Sequence, residues 1–188
     1  GYNMEKMNFV FGHKKPDTDS IASAISMANL QTNMGDYSQS FRLGNVNRET
    51  EFALKTFGVK APELLDKVGQ IVIIDHHRRS TDYIENATLT FQEVYASSAA
   101  ELVTEILQYT DVKIKLKPIE VEGLYGGIMV DTKNFTFKTG VRTFEAAAYL
   151  RKCGVDIIKV KKWFQSDLNS YNEIANIVKN AEMYDNSI

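Results

Sequence analysis

Two strand-length apolar runs, each passing directly into a cluster of acids and histidines, constrain this chain more than any other feature. The first is FVFGHKKPDTDS from Phe9 to Ser20, and the second is QIVIIDHHRRS from Gln70 to Ser80. All 3 histidines, His13, His76 and His77, lie in these two stretches. A buried strand that opens into a polar cluster calls for a layered α/β sheet, because in such sheets ligands gather outside the carboxyl ends of the strands. Behind the first run, Ser20 to Asn33 places Ile21, Ala24, Ile25 and Ala28 at helical spacing before Gly35, which reads as strand, polar loop, helix.

The rest of the chain continues that alternation. RETEFALKTFGV, Arg48 to Val59, carries Phe52, Leu54 and Phe57 at helical spacing and ends at Gly58; Pro62 then opens a short turn or helix, and Ile71 to Ile74 is a buried strand. Tyr95 to Tyr109 reads as a helix, with Ser98 and Glu101 spaced as a capping box that satisfies free N–H groups of the first turn. Pro118 to Val130 keeps a helical period through Val121, Leu124, Tyr125 and Ile128, and its Gly123, Gly126 and Gly127 suit a buried helix packed closely on a neighbour. Thr143 to Lys152 is rich in helix formers and stops at Gly154, and Lys161 to Tyr184 is amphipathic. The expected fold is an α/β layered domain with a mainly parallel sheet flanked by helices. With 188 residues, 3 prolines and no low-complexity tract, a single domain over residues 7–184 is expected, and GYNMEK at residues 1–6 reads as an appended or frayed start.

Charge narrows the partners. A net charge of −2 provides no bulk attraction to duplex nucleic acid or anionic lipid, so a polyanion must be met by a local site. The run KVKK, Lys159 to Lys162, beside Trp163 reads as the solvated side of an amphipathic helix. No apolar run is long enough to span a bilayer. The one cysteine, Cys153 in LRKCGVD, reads as a buried structural residue at a helix end, and a cytoplasmic setting is expected.

The chemistry concentrates at the two strand ends. His13, Asp17 and Asp19 follow the first strand, while Asp75, His76 and His77 follow another. Asp131, in GGIMVDTKNF, closes a third apolar run. For Asp17 and Asp19 the competing reading is a helix cap, and for Asp131 a cap or turn residue. Imidazole with several carboxylates and no thiolate suits Mn, Fe or Zn. Two divalent ions about 4 Å apart would polarise a phosphoryl oxygen and make hydroxide available near neutral pH. Phosphoester or phosphoanhydride hydrolysis is the chemistry implied, with Arg78, Lys133, Lys138 or Arg142 able to bind the remaining charge. No GxGxxG or Walker phosphate loop is present.

GHKKPDTD, IDHH and VDT together resemble the motifs of the DHH phosphoesterase superfamily. Gly12 to Leu65 is similar to the family II manganese-dependent inorganic pyrophosphatases, and the chain from about Pro62 onward to the catalytic domain of the membrane-anchored cyclic-di-AMP phosphodiesterases. The resemblance implies a centre of two Mn²⁺ ions held by His13, Asp17, Asp19, His76 and Asp131. It makes His77 the contact to the scissile phosphate and Asp75 the residue that holds a histidine in place. Lys133, Asn134, Lys138 and Arg142 would lie near a small phosphorylated substrate, a dinucleotide or pyrophosphate, and a homodimer is allowed for.

Two departures accompany it. Both branches place a further strand, ending in an aspartate that bridges the metals in a VDxH or VDHN context, between the first motif and the DHH motif. The interval from Pro62 to Ile71 holds no such strand, and its one aspartate is Asp66 in ELLDKVG. Family members also carry a C-terminal domain that supplies basic residues across a cleft, and only DNSI follows Tyr184. The expected function is manganese-dependent hydrolysis of phosphodiester bonds in a cyclic or short linear dinucleotide. The alternatives are an inorganic pyrophosphatase and a catalytically degenerate nucleotide-binding module.

Overall fold

The computed structural model describes residues 7–12, 15–65, 70–77, 89–112, 114–163 and 165. Five parallel strands form one sheet in the order β3-β2-β1-β4-β5. They are β1 (Asn8–Phe11), β2 (Ser38–Arg42), β3 (Glu63–Leu64), β4 (Gln70–Asp75) and β5 (Leu89–Gln92). The helices are α1 (Thr18–Asn33), α2 (Arg48–Thr56), α3 (Ala99–Tyr109), α4 (Pro118–Asp131) and α5 (Val141–Lys152). The layered, parallel α/β architecture expected from the sequence is therefore present. Pro62 opens neither a turn nor a helix: the two residues after it pair along β2 as an edge strand.

Alternation of side chains along the strands divides the core in two. Val10, Val72 and Ile74 join the apolar faces of α1, α3 and α4, whereas Phe9, Phe11, Phe41 and Ile73 pack together on the opposite side. The register sets Phe11 beside Ile73, so the two motif-bearing strands run side by side and end together. Because β1 pairs directly with β4, no strand intervenes between them.

Helix starts follow local chemistry. Asp17 caps α1 by accepting the Ser20 N–H at 2.9 Å, Asn47 caps α2 through Thr50, and Ser98 Oγ caps α3 by accepting the Glu101 N–H at 3.0 Å. The return half of the expected box is displaced by one residue, since Glu101 accepts from the backbone and hydroxyl of Ser97 rather than from the Ser98 N–H. Thr143 at the start of α5 also donates to Glu101, which ties α3 to α5 through a buried carboxylate.

The glycines of α4 act as expected. A Cβ at Gly123 would stand 2.9 Å from the Cβ of Ala22, and one at Gly127 would stand 2.8 Å from the Cα of Asp19, so α1 and α4 approach closely only because both positions lack a side chain. Phe52, by contrast, points outward from α2, and Ala53 and Leu54 supply its buried face. Cys153 is exposed, against expectation. It caps the end of α5, after which Gly154, at φ +95°, turns the chain so that Val155 enters the core instead. Lys159 leans over the Phe57 ring and stands 3.7 Å from Glu122, while Val160 and Trp163 are buried, in keeping with the solvated side expected for KVKK.

Candidate metal centre

Gly12 follows β1, and an added Cβ there would lie 2.1 Å from Ser20 Oγ, so only glycine lets the first turn of α1 sit against the strand end. That close approach brings Asp19, in the first turn of α1, over the carboxyl end of the sheet. The Asp19 carboxylate is 2% exposed and receives two backbone N–H groups from the start of α3: Ala99 N to Oδ2 at 2.9 Å and Ala100 N to Oδ1 at 2.6 Å. The free N–H groups and positive end of that helix favour an anion there.

His76, immediately past β4, is buried, and its Nε2 lies 2.9 Å from Asp131 Oδ2 and 3.8 Å from Asp19 Oδ2. Asp131 is the last residue of α4. One ligand atom from each of Asp19, His76 and Asp131 lies within 4.8 Å of the others, although the three residues come from α1, the β4 end and α4. The short His76–Asp131 separation does not have hydrogen-bond geometry, and neither ring nitrogen of His76 has a hydrogen-bond partner among the described residues. A buried imidazole aimed between two carboxylates is a donor set that could hold a cation, and its N and O character suits a borderline or hard divalent metal.

The electrostatics agree. Burial pushes the Asp19 carboxyl well above the usual carboxylate range, the charges of Asp131 and Asp17 push it further, and the Ala100 and Ala99 N–H groups only partly oppose them. Asp17 caps α1 through Oδ1 and adds its charge to the cluster. Beside it, His77 is half exposed and its Nδ1 lies 2.7 Å from Asp75 Oδ1, an interaction that raises the imidazole pKa. The Asp75 Oδ1 also accepts the His77 N–H, and Gln92 of β5 donates to the His77 carbonyl, so the turn after β4 is fixed from both sides.

The expected substrate contacts divide. Lys133, Asn134 and Lys138 are exposed on the loop that leaves Asp131. Arg142 is instead engaged in a forked pair with Glu105 at 2.9 and 3.0 Å, and that hydrogen bonding raises its pKa further. His13, Arg78 and Asp66 lie outside the described residues. Sequence reasoning did not find the two backbone donors of α3 or the role of Gly127 behind Asp19; the Ser98 cap marked where α3 begins, but nothing local links it to Asp19, 80 residues away.

Residues 8–128 match the model of the DHH family, N-terminal domain. The chain belongs to the DHH family. Cyclic-di-AMP phosphodiesterase GdpP of Bacillus subtilis is 34% identical over 215 residues, covering 95% of this chain and 33% of that protein. An Oceanobacillus iheyensis protein assigned as a manganese-dependent inorganic pyrophosphatase is 47% identical over 85 residues, 43% of this chain and 28% of the relative. Among solved structures, a Methanococcus jannaschii protein assigned as a family II inorganic pyrophosphatase superposes with a TM-score of 0.68 at 29% identity, over 84% of this chain and 60% of that one. This DHH domain thus spans a third or less of the length of the curated relatives it matches. The Bacillus alignment is 215 positions long while covering 95% of a chain of 188 residues, so part of the relative's aligned segment has no counterpart here. Among the described residues, no helix is long and apolar enough to cross a membrane.

Proposed function

We propose that this DHH domain is the metal-dependent hydrolytic part of a phosphodiesterase acting on a cyclic or short linear dinucleotide. The observation that carries the reading is the convergence of Asp19, His76 and Asp131 around an imidazole that bonds neither carboxylate. Asp19, His76 and Asp131 would hold a manganese ion, with His13 and Asp17 as further ligands implied by the resemblance. Such an ion supplies Lewis-acid stabilisation of charge on a phosphoryl group and makes hydroxide available near neutral pH.

The protein's own groups do the rest. Asp75 accepts at Nδ1 of His77, which orients the ring and makes Nε2 the nitrogen that would meet a phosphate oxygen. Asp75 also raises the His77 pKa, which favours the imidazolium form, and the Nε2–H of that form can donate to a phosphate oxygen or leaving group. Lys133 and Lys138 put positive charge on the exposed loop that leaves Asp131.

Similarity to the cyclic-di-AMP phosphodiesterase extends over 95% of the chain and supports the dinucleotide. A second reading, hydrolysis of pyrophosphate, is favoured by the 47% identity to the pyrophosphatase over 85 residues. The deciding experiment is a manganese-dependent substrate panel of cyclic-di-AMP, a linear diadenylate and pyrophosphate. Cleavage of either dinucleotide, lost in His76→Ala, supports the first reading. Orthophosphate release from pyrophosphate alone replaces it with the second. Ligand binding with no turnover in any arm rejects both and makes the domain a degenerate binding module.

A further inference from the structure

The loop after Asp131 is built to hold its outward side chains still. Thr132 is buried; its hydroxyl donates to the Ile128 carbonyl at 2.7 Å and accepts the Phe135 N–H at 2.9 Å. Backbone N–H groups of Asn134, Thr136 and Phe137 fold back onto carbonyls of Met129 and Thr132 at 2.7 to 2.8 Å. Lys133, Asn134, Phe135 and Lys138 all adopt left-handed backbone, with φ between 47 and 61°, a conformation that side-chain-bearing residues rarely hold without compensation. Phe135 provides the anchor: its ring stands 5.8 Å from Tyr125 on α4 and stacks on Phe144 at 5.8 Å and 16°.

What this rigid loop presents is a ring and a charge. Phe137 is 54% exposed, and the Lys133 ammonium lies 4.8 Å from its ring centroid. The Phe137 N–H is bonded to the carbonyl of Thr132, the residue after Asp131, so the backbone of Phe137 is held beside the end of α4 that carries Asp131. An exposed aromatic ring beside a cation suits a ligand that joins a planar base to an anionic phosphate, and a base stacks on an aromatic face whatever its identity.

We infer that Phe137, together with Lys133, is a stacking platform that binds the nucleobase of a nucleotide whose phosphate lies at Asp19, His76 and Asp131. The inference rests on the phosphoesterase reading of that cluster and deepens it by making the base, and not only the phosphate, a determinant of binding. Phe137 then sets affinity for nucleotides over base-free phosphates.

Calorimetry with AMP and ribose 5-phosphate, which differ by the base, tests this on the manganese-saturated protein. Wild type is expected to bind AMP about tenfold more tightly than ribose 5-phosphate, Phe137→Ala to bring the two together by weakening AMP alone, and Phe137→Trp to keep the preference. Equal binding of the two ligands by wild type, or an unchanged preference in Phe137→Ala, overturns the platform. The parallel turnover assay separates the two readings. Dinucleotide cleavage without a base preference defeats the platform only, whereas a Phe137-dependent preference without turnover defeats the hydrolytic reading and leaves the platform standing.

Discussion

Asp19 Oδ1 lies 2.6 Å from the backbone nitrogen of Ala100, so one carboxylate both faces the candidate metal cluster and caps a helix that begins 80 residues later. Removing it should therefore be felt twice. Asp19→Ala leaves two N–H groups of α3 without an acceptor, and the metal-free protein is expected to lose about 1–3 kcal/mol of stability. Asp19→Asn keeps the shape and one acceptor and should lose less. Both variants should bind Mn²⁺ at least about tenfold more weakly, since a ligand charge is gone. Urea unfolding in chelator, paired with calorimetric titration of Mn²⁺, checks both effects; wild-type affinity in Asp19→Asn would remove Asp19 from the ligand set.

Gly127 lies directly behind that carboxylate. An added Cβ would meet Asp19 Cα at 2.8 Å, Asp19 Oδ1 at 2.9 Å and the Ala100 Cβ at 3.1 Å. Overpacking of this kind costs about 1–3 kcal/mol, and here the group forced to move belongs to the cluster. Gly127→Ala should lower stability and Mn²⁺ affinity together. Gly123→Ala, whose Cβ meets only Ala22, should lower stability by a similar amount and leave Mn²⁺ affinity near wild type. Equal effects of the two substitutions on affinity would mean that the helix interface, and not the carboxylate position, controls the site.

Long-period features and strand ends were legible in the sequence. The apolar runs ending at Phe11 and Ile74, the helical spacing of α1 and α4 and the caps at Ser98 and Gly58 each state their structure locally. β2 was not legible, because SQSFR buries one large apolar side chain, Phe41, and its strand state comes from pairing with β1. β5 is four residues long and is likewise fixed by its neighbour, β4. At the site, the residue types that converge were readable from the motifs, but their division of labour was not. Asp17 caps its own helix while Asp19, two residues on, reaches across to another, and only the packing of α1 on α3 decides which does which.

Glu120 gives the fold a pH dependence that can be isolated. It is buried where α4 begins, accepts the Lys117 N–H at 2.7 Å and the Asn29 amide at 2.9 Å, and burial outweighs both in raising its pKa. A carboxyl whose folded pKa is raised binds its proton more tightly folded than unfolded. Its favourable contribution is thus present below the unfolded value and is lost as pH rises through the folded one. The stability of wild type minus that of Glu120→Gln should fall as pH increases across that window and then level off. Urea midpoints of the two proteins between pH 4 and 8 provide the measurement; a difference that rises with pH would mean that the hydrogen bonds, and not burial, dominate.

His76 offers the sharpest test of the cluster, because its ring is buried with both nitrogens unbonded. A metal that binds the folded chain alone stabilises it by about 2.7 kcal/mol at a free concentration 100 times its dissociation constant. Mn²⁺ should therefore raise the melting temperature of wild type, and chelator should reverse the rise. His76→Ala should remove most of that shift and abolish turnover. His77→Ala supplies the contrast: its ring bonds Asp75 outside the converging triad, so the Mn²⁺-dependent shift should persist while turnover falls. Loss of the thermal shift in His77→Ala with its retention in His76→Ala would exchange the roles of the two histidines.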